Sequence, residues 1–239
     1  MSPVSEDLAP GPATPAHQRR KAERPQELLD AALALFVEKG FAATKSEDVA
    51  RRAGVSKGTL YLYYPSKEDL LKAVIEQRLS RQLVASAATA ASYEGSATQL
   101  LQEVFSAYWT DLIESDASGV FKLIVTEVRN FPEIATYYQQ EVVQRGQALV
   151  AQILARGIAR GEFRPVDIGA AVQSLVLPMV MLCVHKHSVG ACSGADSASP
   201  DPRDFIHAHI GLVLHGLRSE TTAATPATAT LAHAATPTS

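Results

Sequence analysis

The residues of this chain with the clearest capacity for chemistry lie between positions 44 and 67, where ammonium and hydroxyl side chains recur at short spacing. Such groups donate hydrogen bonds to phosphate oxygens, and neighbouring apolar groups can meet base edges and thymine methyls. The chemistry predicted here is therefore non-covalent recognition of double-stranded DNA. The candidate DNA contacts are Thr44, Lys45, Ser46, Ser56, Lys57, Gly58, Thr59, Tyr61, Leu62, Tyr63 and Lys67.

Capping and turn signals divide this stretch into two short helices that would position these side chains. Thr44 and Glu47 have the spacing of a capping box, in which each side chain satisfies a backbone N–H of the first turn. Gly54 falls where the first helix must end and reverse, a position that favours positive φ. Ser56 is placed to cap the second helix, and Pro65 ends that helix because it lacks an N–H. The pattern is that of a helix-turn-helix.

The string GVSKGTLYLYYPSK at positions 54–67 resembles the TetR family of bacterial transcriptional regulators. The match extends over residues 26–73 and includes GFAAT at 40–44 and DVA at 48–50. The resemblance implies a repressor that binds a palindromic operator as a homodimer and is released by a small-molecule effector. It covers roughly a fifth of the chain, and such proteins diverge strongly elsewhere, so the resemblance does not identify the effector.

Charge is distributed unevenly along the chain, whose formal net charge is only -3. Residues 19–67 contain 10 Lys and Arg against 6 Asp and Glu, whereas residues 68–239 contain 12 against 17. A basic N-terminal part on an acidic body fits a protein that contacts nucleic acid at one end. The cluster Arg19, Arg20, Lys21 and Arg24 could reach DNA phosphates or the minor groove, or it could be a solvated charge run before a helix.

Cysteine content and apolar run length indicate the compartment. Two cysteines in 239 residues give no disulfide framework and suit a reducing environment. No secretory signal peptide is recognised at the N-terminus, and the longest apolar run, 175–184, is too short to span a bilayer. We therefore expect a soluble cytoplasmic protein without a membrane partner.

Helical periodicity continues through the chain, and no strand is indicated, so the predicted fold class is all-α. We expect a disordered arm at 1–18, a helix-turn-helix DNA-binding domain at 19–71, a ligand-binding and dimerisation domain at 72–219, and a disordered tail at 220–239. Pro25 is placed to begin the first helix. A helix from Lys67 is the predicted bridge between head and body, and residues 189–202 are predicted to form a flexible loop.

Aromatic residues on helices that should face one another predict an apolar ligand cavity in the body. The candidates are Phe105, Tyr108, Trp109, Phe121, Tyr137, Tyr138 and Met179. The alternative is a plain aromatic core.

Two unusually apolar helices near the C-terminus predict a homodimer, in which each subunit gives both helices to a four-helix bundle. The candidate interface residues are Leu175, Met179, Ile206, Ile210, Val213 and Leu217. The alternative is that both helices are buried within one body.

The sequence contains no recognisable catalytic motif, so no feature supports the hypothesis of an enzyme. No cofactor is predicted. Cys183 and His185 leave open a regulator that senses metal or redox state. However, Cys183 lies on an apolar stripe, where cysteine is usually a small core residue, so no metal site is predicted. An interaction module without a ligand is the other alternative.

Overall fold

The computed structural model describes residues 16–192 and 201–218, with side chains from residue 23 onward. These residues form an all-α fold, as predicted, and the isolated bridge between Phe163 and Arg218 is the sole β-type pairing among them. The predicted tail at 220–239, most of the predicted arm and most of the predicted 189–202 loop lie outside the described residues.

Three helices form the N-terminal head: α1 (Ala16–Lys39), α2 (Ser46–Arg52) and α3 (Lys57–Tyr63). Leu28, Ala32 and Phe36 form the apolar stripe of α1 and are all fully buried. The start of α1 differs from the prediction, since the helix begins at Ala16 and Pro25 lies inside it. A proline within a helix removes one backbone hydrogen bond, and here the helix continues upstream of it.

Two of the predicted turn and cap signals are confirmed. Gly54 has a φ of 66°, in the left-handed region that allows α2 to stop and the chain to reverse. Ser56 caps α3, since its hydroxyl accepts a hydrogen bond from the backbone N–H of Thr59 at 3.1 Å. These two features fix the angle at which α3 leaves α2.

The predicted Thr44–Glu47 capping box is wrong. The N-cap residue of α2 is Lys45, which makes no side-chain capping bond. Thr44 points inward and is 1% exposed, and its hydroxyl lies 2.7 Å from the carbonyl of Gly40 and 3.2 Å from that of Leu35. It therefore closes the C-terminal end of α1 rather than the start of α2.

The bridge helix α4 covers residues 67–92 as Lys67–Ile75, a π-helical turn at Glu76–Ser80, and Arg81–Ser92. Ser66 caps it by accepting from the N–H of Asp69 at 2.9 Å. Its buried Leu70, Leu71 and Val74 pack against the head.

Five further helices build the body. They are α5 (97–114: Ala97–Gln99, π-helical Leu100–Phe105, Ser106–Glu114), α6 (Gly119–Glu127), α7 (132–159: Pro132–Tyr138, π-helical Gln139–Gln144, Arg145–Ala159), α8 (Ile168–Lys186) and α9 (Pro202–Leu217). A 3₁₀ turn (Asp116–Ser118) precedes α6, another (Val128–Asn130) follows it, and a short helix (Val189–Cys192) follows α8.

One stretch of the described chain, Ile168–Cys192, is long and apolar enough to cross a membrane by length and composition alone. It is longer than the apolar run of the sequence suggested. Val172, Leu175, Met179 and Cys183 on one side of α8 are packed in the core, as in a core helix of a globular protein. Only 28% of its most apolar 18-residue segment is buried, so the opposite side of α8 is left uncovered.

The inward hydroxyl of Thr44 predicts a structural role. We expect Thr44→Val to lower the free energy of unfolding by about 1–3 kcal/mol, because the hydrogen bond that the single hydroxyl proton makes to the carbonyls at the end of α1 is lost. Thr44→Ser keeps the hydroxyl and is the control, for which we expect a much smaller loss. Urea unfolding measures both. If Thr44→Val kept full stability and lost only DNA binding, the hydroxyl would act on DNA instead.

Candidate nucleic-acid interface and ligand cavity

The outer face of α3 is the candidate nucleic-acid interface. Leu60 is fully buried and anchors the helix, while Tyr61 and Leu62 are 41% and 78% exposed. Lys57 and Gly58 are exposed at the first turn, where backbone N–H groups attract phosphate. This face has the amphipathic surface that a major groove requires, with donors at its start and apolar groups beside them.

Lys57 does not stand alone on this face. Its ammonium lies 2.6 Å from a carboxylate oxygen of Glu47 and 5.9 Å from the ring centre of Tyr61. The hydrogen bond and the opposite charge lower the pKa of the Glu47 carboxyl and raise the pKa of Lys57. Both groups are solvent-exposed, so the pair is weak and a DNA phosphate can compete with the carboxylate for the ammonium.

Two of the predicted DNA contacts make their hydrogen bonds inside the protein instead. Thr44 is buried, as described above. Lys67 donates to the carbonyls of Phe41 at 2.7 Å, Thr44 at 3.1 Å and Ala42 at 3.2 Å, and it lies 4.4 Å from the centre of the Phe41 ring. An ammonium has three protons, so all the donors of Lys67 are used in bonds to the loop after α1.

The other predicted contacts remain candidates. Lys45 and Ser56 are exposed, whereas Ser46, Thr59 and Tyr63 are half-buried. The hydroxyls of Ser56 and Thr59 lie 2.9 Å apart. Both hydroxyls sit at the N-terminus of α3, where they can also donate to a backbone phosphate.

The body contains a cavity of about 210 Å³. Five of the seven predicted ligand contacts line it, namely Phe105, Tyr108, Trp109, Phe121 and Tyr138. The Trp109 ring contacts three of the other rings. Its centroid lies 5.5 Å from that of Tyr108, 5.9 Å from that of Phe121 and 6.2 Å from that of Phe105. Aromatic walls with a few polar groups are typical of small-molecule sites.

Two predicted cavity residues lie elsewhere. Tyr137 is adjacent to Tyr138 but lies outside the cavity wall, and burial together with the nearby Glu76 raises its pKa. Met179 is 1% exposed but packs in the core beside the cavity rather than along it. Successive helical residues point about 100° apart, and here it is Tyr138, not Tyr137, that faces the cavity.

The sequence did not single out most of the cavity wall. The missed residues are Leu83, Ser86, Ala90, Leu100, Val104, Val142, Val143, Gly146, Gln147, Leu149, Val150, Ile153, Gln173, Val176, Leu177 and Val180. The set from α4 follows a helical i, i+3, i+7 spacing, a signal that could have placed the bridge helix at the cavity. No comparable signal marks the two glutamines.

Five of the six predicted dimer contacts are buried within one subunit. Leu175, Met179, Ile206 and Ile210 are at most 1% exposed, and Leu217 is 5% exposed. Their surface is used by contacts inside the chain, so this part of the interface prediction is wrong. Val213 alone is half-buried.

The cysteine and the histidine considered for metal or redox sensing differ in solvent exposure. Cys183 is fully buried, and desolvation raises its pKa to about 12, so it is held as an unreactive thiol. His185 is exposed. Within residues 16–192 and 201–218, no group of three or more His, Cys, Asp and Glu side chains is close enough to hold a metal ion.

Comparison with known families and proteins accounts for both parts of the chain. Residues 28–74 match the model of bacterial regulatory proteins of the tetR family, and residues 92–191 match a tetracyclin repressor-like C-terminal domain. These matches correspond to the head with the start of the bridge helix, and to the cavity-bearing body.

Relatives and solved structures agree with these matches. The chain is 30% identical over 164 residues to the uncharacterized HTH-type regulator YfiR of Bacillus subtilis, covering 68% of this chain and 78% of that protein. It is 29% identical over 201 residues to the repressor KstR2 of Rhodococcus jostii, covering 83% and 93%. The fold matches FadR of Bacillus subtilis in complex with stearoyl-CoA, with a TM-score of 0.64 at 20% identity, over 81% and 99% of the two chains.

The helix-turn-helix head and the cavity-bearing body thus occur here in the order and proportions of known regulators, which are not enzymes. The chain belongs to the TetR family of bacterial transcriptional regulators.

Proposed function

We propose that this chain is a cytoplasmic repressor that binds a palindromic operator as a homodimer and leaves it when a small, largely apolar molecule occupies the cavity. The observation that carries the proposal is that α4 and α6 both line the cavity and contact the head. Occupancy of the cavity and orientation of the head therefore depend on the same two helices.

The outer side of the two C-terminal helices supports a dimer. Leu177 and Met181 on α8, together with Leu212 on α9, are 58%, 63% and 74% exposed, and Leu177 also borders the cavity. A row of large apolar side chains on two packed helices is typical of an interface with a second copy. We therefore place the four-helix bundle on this side of α8 and α9, opposite the side that packs in the core.

Two side-chain contacts connect the head to the body in addition to the bridge helix. The Lys122 ammonium of α6 donates to the carbonyl of Val37 in α1 at 3.1 Å. The Phe131 ring, ahead of α7, packs edge-on against Phe41 of the head, with centroids 4.6 Å apart. Because Phe121 of α6 lines the cavity, a ligand that displaces this helix also displaces the end of α1.

The bridge helix α4 offers a second route. Leu83, Ser86 and Ala90 line the cavity, while Gln77 and Arg78 bond to Gln26 and Asp30 of α1. A ligand that moves α4 would change the separation of the two recognition helices, which must be roughly 34–36 Å to reach successive major grooves.

Relatives support an apolar effector. The matching FadR structure contains stearoyl-CoA, and a matching structure of KstR2 from Mycobacterium tuberculosis is described as a ketosteroid transcriptional regulator. Stearoyl-CoA and a ketosteroid each have a large apolar part, as the aromatic and aliphatic wall of this cavity would require.

Selection of genomic DNA fragments bound by the purified protein tests the proposal. We expect enrichment of a short palindrome bound by two chains. Equal recovery of all fragments, or of the same fragments by a variant with a disrupted α3, would contradict it.

Lys57 is expected to bind phosphate. Lys57→Ala should weaken binding to every sequence and reduce the salt dependence of log K by about 0.9 per lost phosphate contact. Glu47→Gln removes the competing carboxylate and should strengthen binding without lowering the slope. Arg145→Ala removes an exposed cation that pairs with Glu141 at 2.7 Å in the body and is the matched control. An unchanged slope for Lys57→Ala in these titrations would show that α3 docks differently.

The exposed side of α8 and α9 is expected to hold the dimer together. Met181→Glu and Leu212→Glu should dissociate it, because two-fold symmetry buries each new charge twice, at a cost of several kcal/mol per unpaired ion. Val125→Glu on α6 is the control, since Val125 is 61% exposed. Sedimentation of a stable dimer by both interface variants would place the interface elsewhere.

The Lys122–Val37 contact is expected to couple the cavity to the head. The strongest hit from a thermal-shift screen of apolar compounds should bind free protein about 5–150-fold more tightly than the operator complex. Lys122→Met should reduce this ratio and leave affinity for the free protein unchanged, because Lys122 is not in the cavity wall. Lys186→Met, which loses an ammonium–carbonyl bond to Ile113 inside the body, is the control. Equal ratios in all three proteins would exclude this contact from the coupling.

A further inference from the structure

The cavity wall contains no charged side chain. Among its 21 residues there is no Asp, Glu, Lys, Arg or His, and the members with a polar side-chain group are Ser86, Tyr108, Trp109, Tyr138, Gln147 and Gln173. A carboxylate, phosphate or ammonium moved from water into such surroundings loses its hydration and gains no opposite charge. The wall therefore discriminates against ions of either sign.

Two of the polar members are phenols without an internal partner. No hydrogen bond joins the hydroxyl of Tyr108 or of Tyr138 to another group in the described part of the chain, and both residues are half-buried in the cavity wall. Burial is the main cause that raises the pKa of both tyrosines, with smaller contributions from Tyr138 to the pKa of Tyr108 and from Cys183 to both. Both hydroxyls thus remain protonated donors.

A donor in a largely apolar cavity that has no acceptor in the protein needs one from water or from a ligand, and a ligand oxygen can take that place. Tyr108 comes from α5 and Tyr138 from α7, so an acceptor between them would also connect two separate walls of the cavity. We propose, extending the ligand-sensing function proposed above, that the effector is an electrically neutral, largely apolar molecule whose carbonyl or ether oxygen accepts hydrogen bonds from Tyr108 and Tyr138.

The chain offers a built-in reporter for this site. Trp109 is the only tryptophan in the 239 residues, and its ring lies in the cavity wall. Intrinsic tryptophan fluorescence therefore reports on the cavity alone and needs neither DNA nor a label.

The test compares three probes that share an unbranched ten-carbon skeleton: decan-2-one, decanoate and decylammonium, each titrated at pH 8 into free protein. We expect saturable binding of decan-2-one. Both ions should bind at least about ten-fold more weakly, because each would be buried without a counter-charge. Decanoate that binds as tightly as the ketone would overturn the inference, as would the absence of a saturable signal from the ketone.

Variants test the two hydroxyls separately from the shape of the cavity. Tyr108→Phe and Tyr138→Phe should each weaken decan-2-one binding about 2–12-fold, the value of one neutral hydrogen bond. Tyr137→Phe is the matched control, since its hydroxyl lies outside the cavity, and its affinity should equal that of the unmodified chain. Unchanged ketone affinity in both of the first two variants would overturn the role of the phenols.

Failure of this inference is distinguishable from failure of the proposed function. Ketone binding that depends on Tyr108 and Tyr138 but leaves operator affinity unchanged would contradict ligand-controlled release and not the ligand class. Decanoate that binds tightly and releases the operator would contradict the ligand class and not the release.

Discussion

The ring of Phe41 is the point on which the arrangement of head and body depends. It is fully buried, packs edge-on against Phe36 of α1 with centroids 5.1 Å apart, and meets Phe131 of the body at 4.6 Å. Lys67 covers the same ring and bonds to its backbone carbonyl. Since Lys67 is the first residue of α4 and α3 ends only a few residues earlier, one aromatic side chain fixes the end of α1, the start of the bridge and, through it, the recognition helix.

Much of the head follows from local rules that the sequence states directly. Gly54, Ser56 and Ser66 act where turn and cap chemistry places them, because those signals depend only on neighbouring backbone groups. The same local rules did not predict the structural roles of Thr44 and Lys67. A threonine that caps and a threonine that closes the preceding helix have the same local sequence, and a lysine gives no sign of which carbonyls will surround it until the loop is folded.

The body was predictable as helices but not as surfaces. An all-round apolar helix such as α8 has no polar face to mark its outer side, so periodicity could not separate the core residue Leu175 from the exposed Leu177. The π-helical turns add a second reason. Each inserts one residue into the helical register, and the turn at Gln139–Gln144 follows directly after Tyr138, so a stripe counted at 3.6 residues per turn changes face there.

Two of the three π-helical turns in the described residues supply cavity residues, and the third, Glu76–Ser80, itself bonds to α1 through Gln77 and Arg78 and directly precedes the part of α4 that lines the cavity. A π turn replaces i→i−4 hydrogen bonds by longer ones and is frequent at functional sites. Under the proposed mechanism this placement matters energetically, because α4 can adjust within the turn without breaking the packing of Leu70 and Val74 in the head. The same turn also limits how much of a ligand's binding energy reaches the head through α4. Coupling through α6 has no such break, since Phe121 and Lys122 are adjacent residues on an unbroken helical segment, and for that reason we assign the tighter connection to α6.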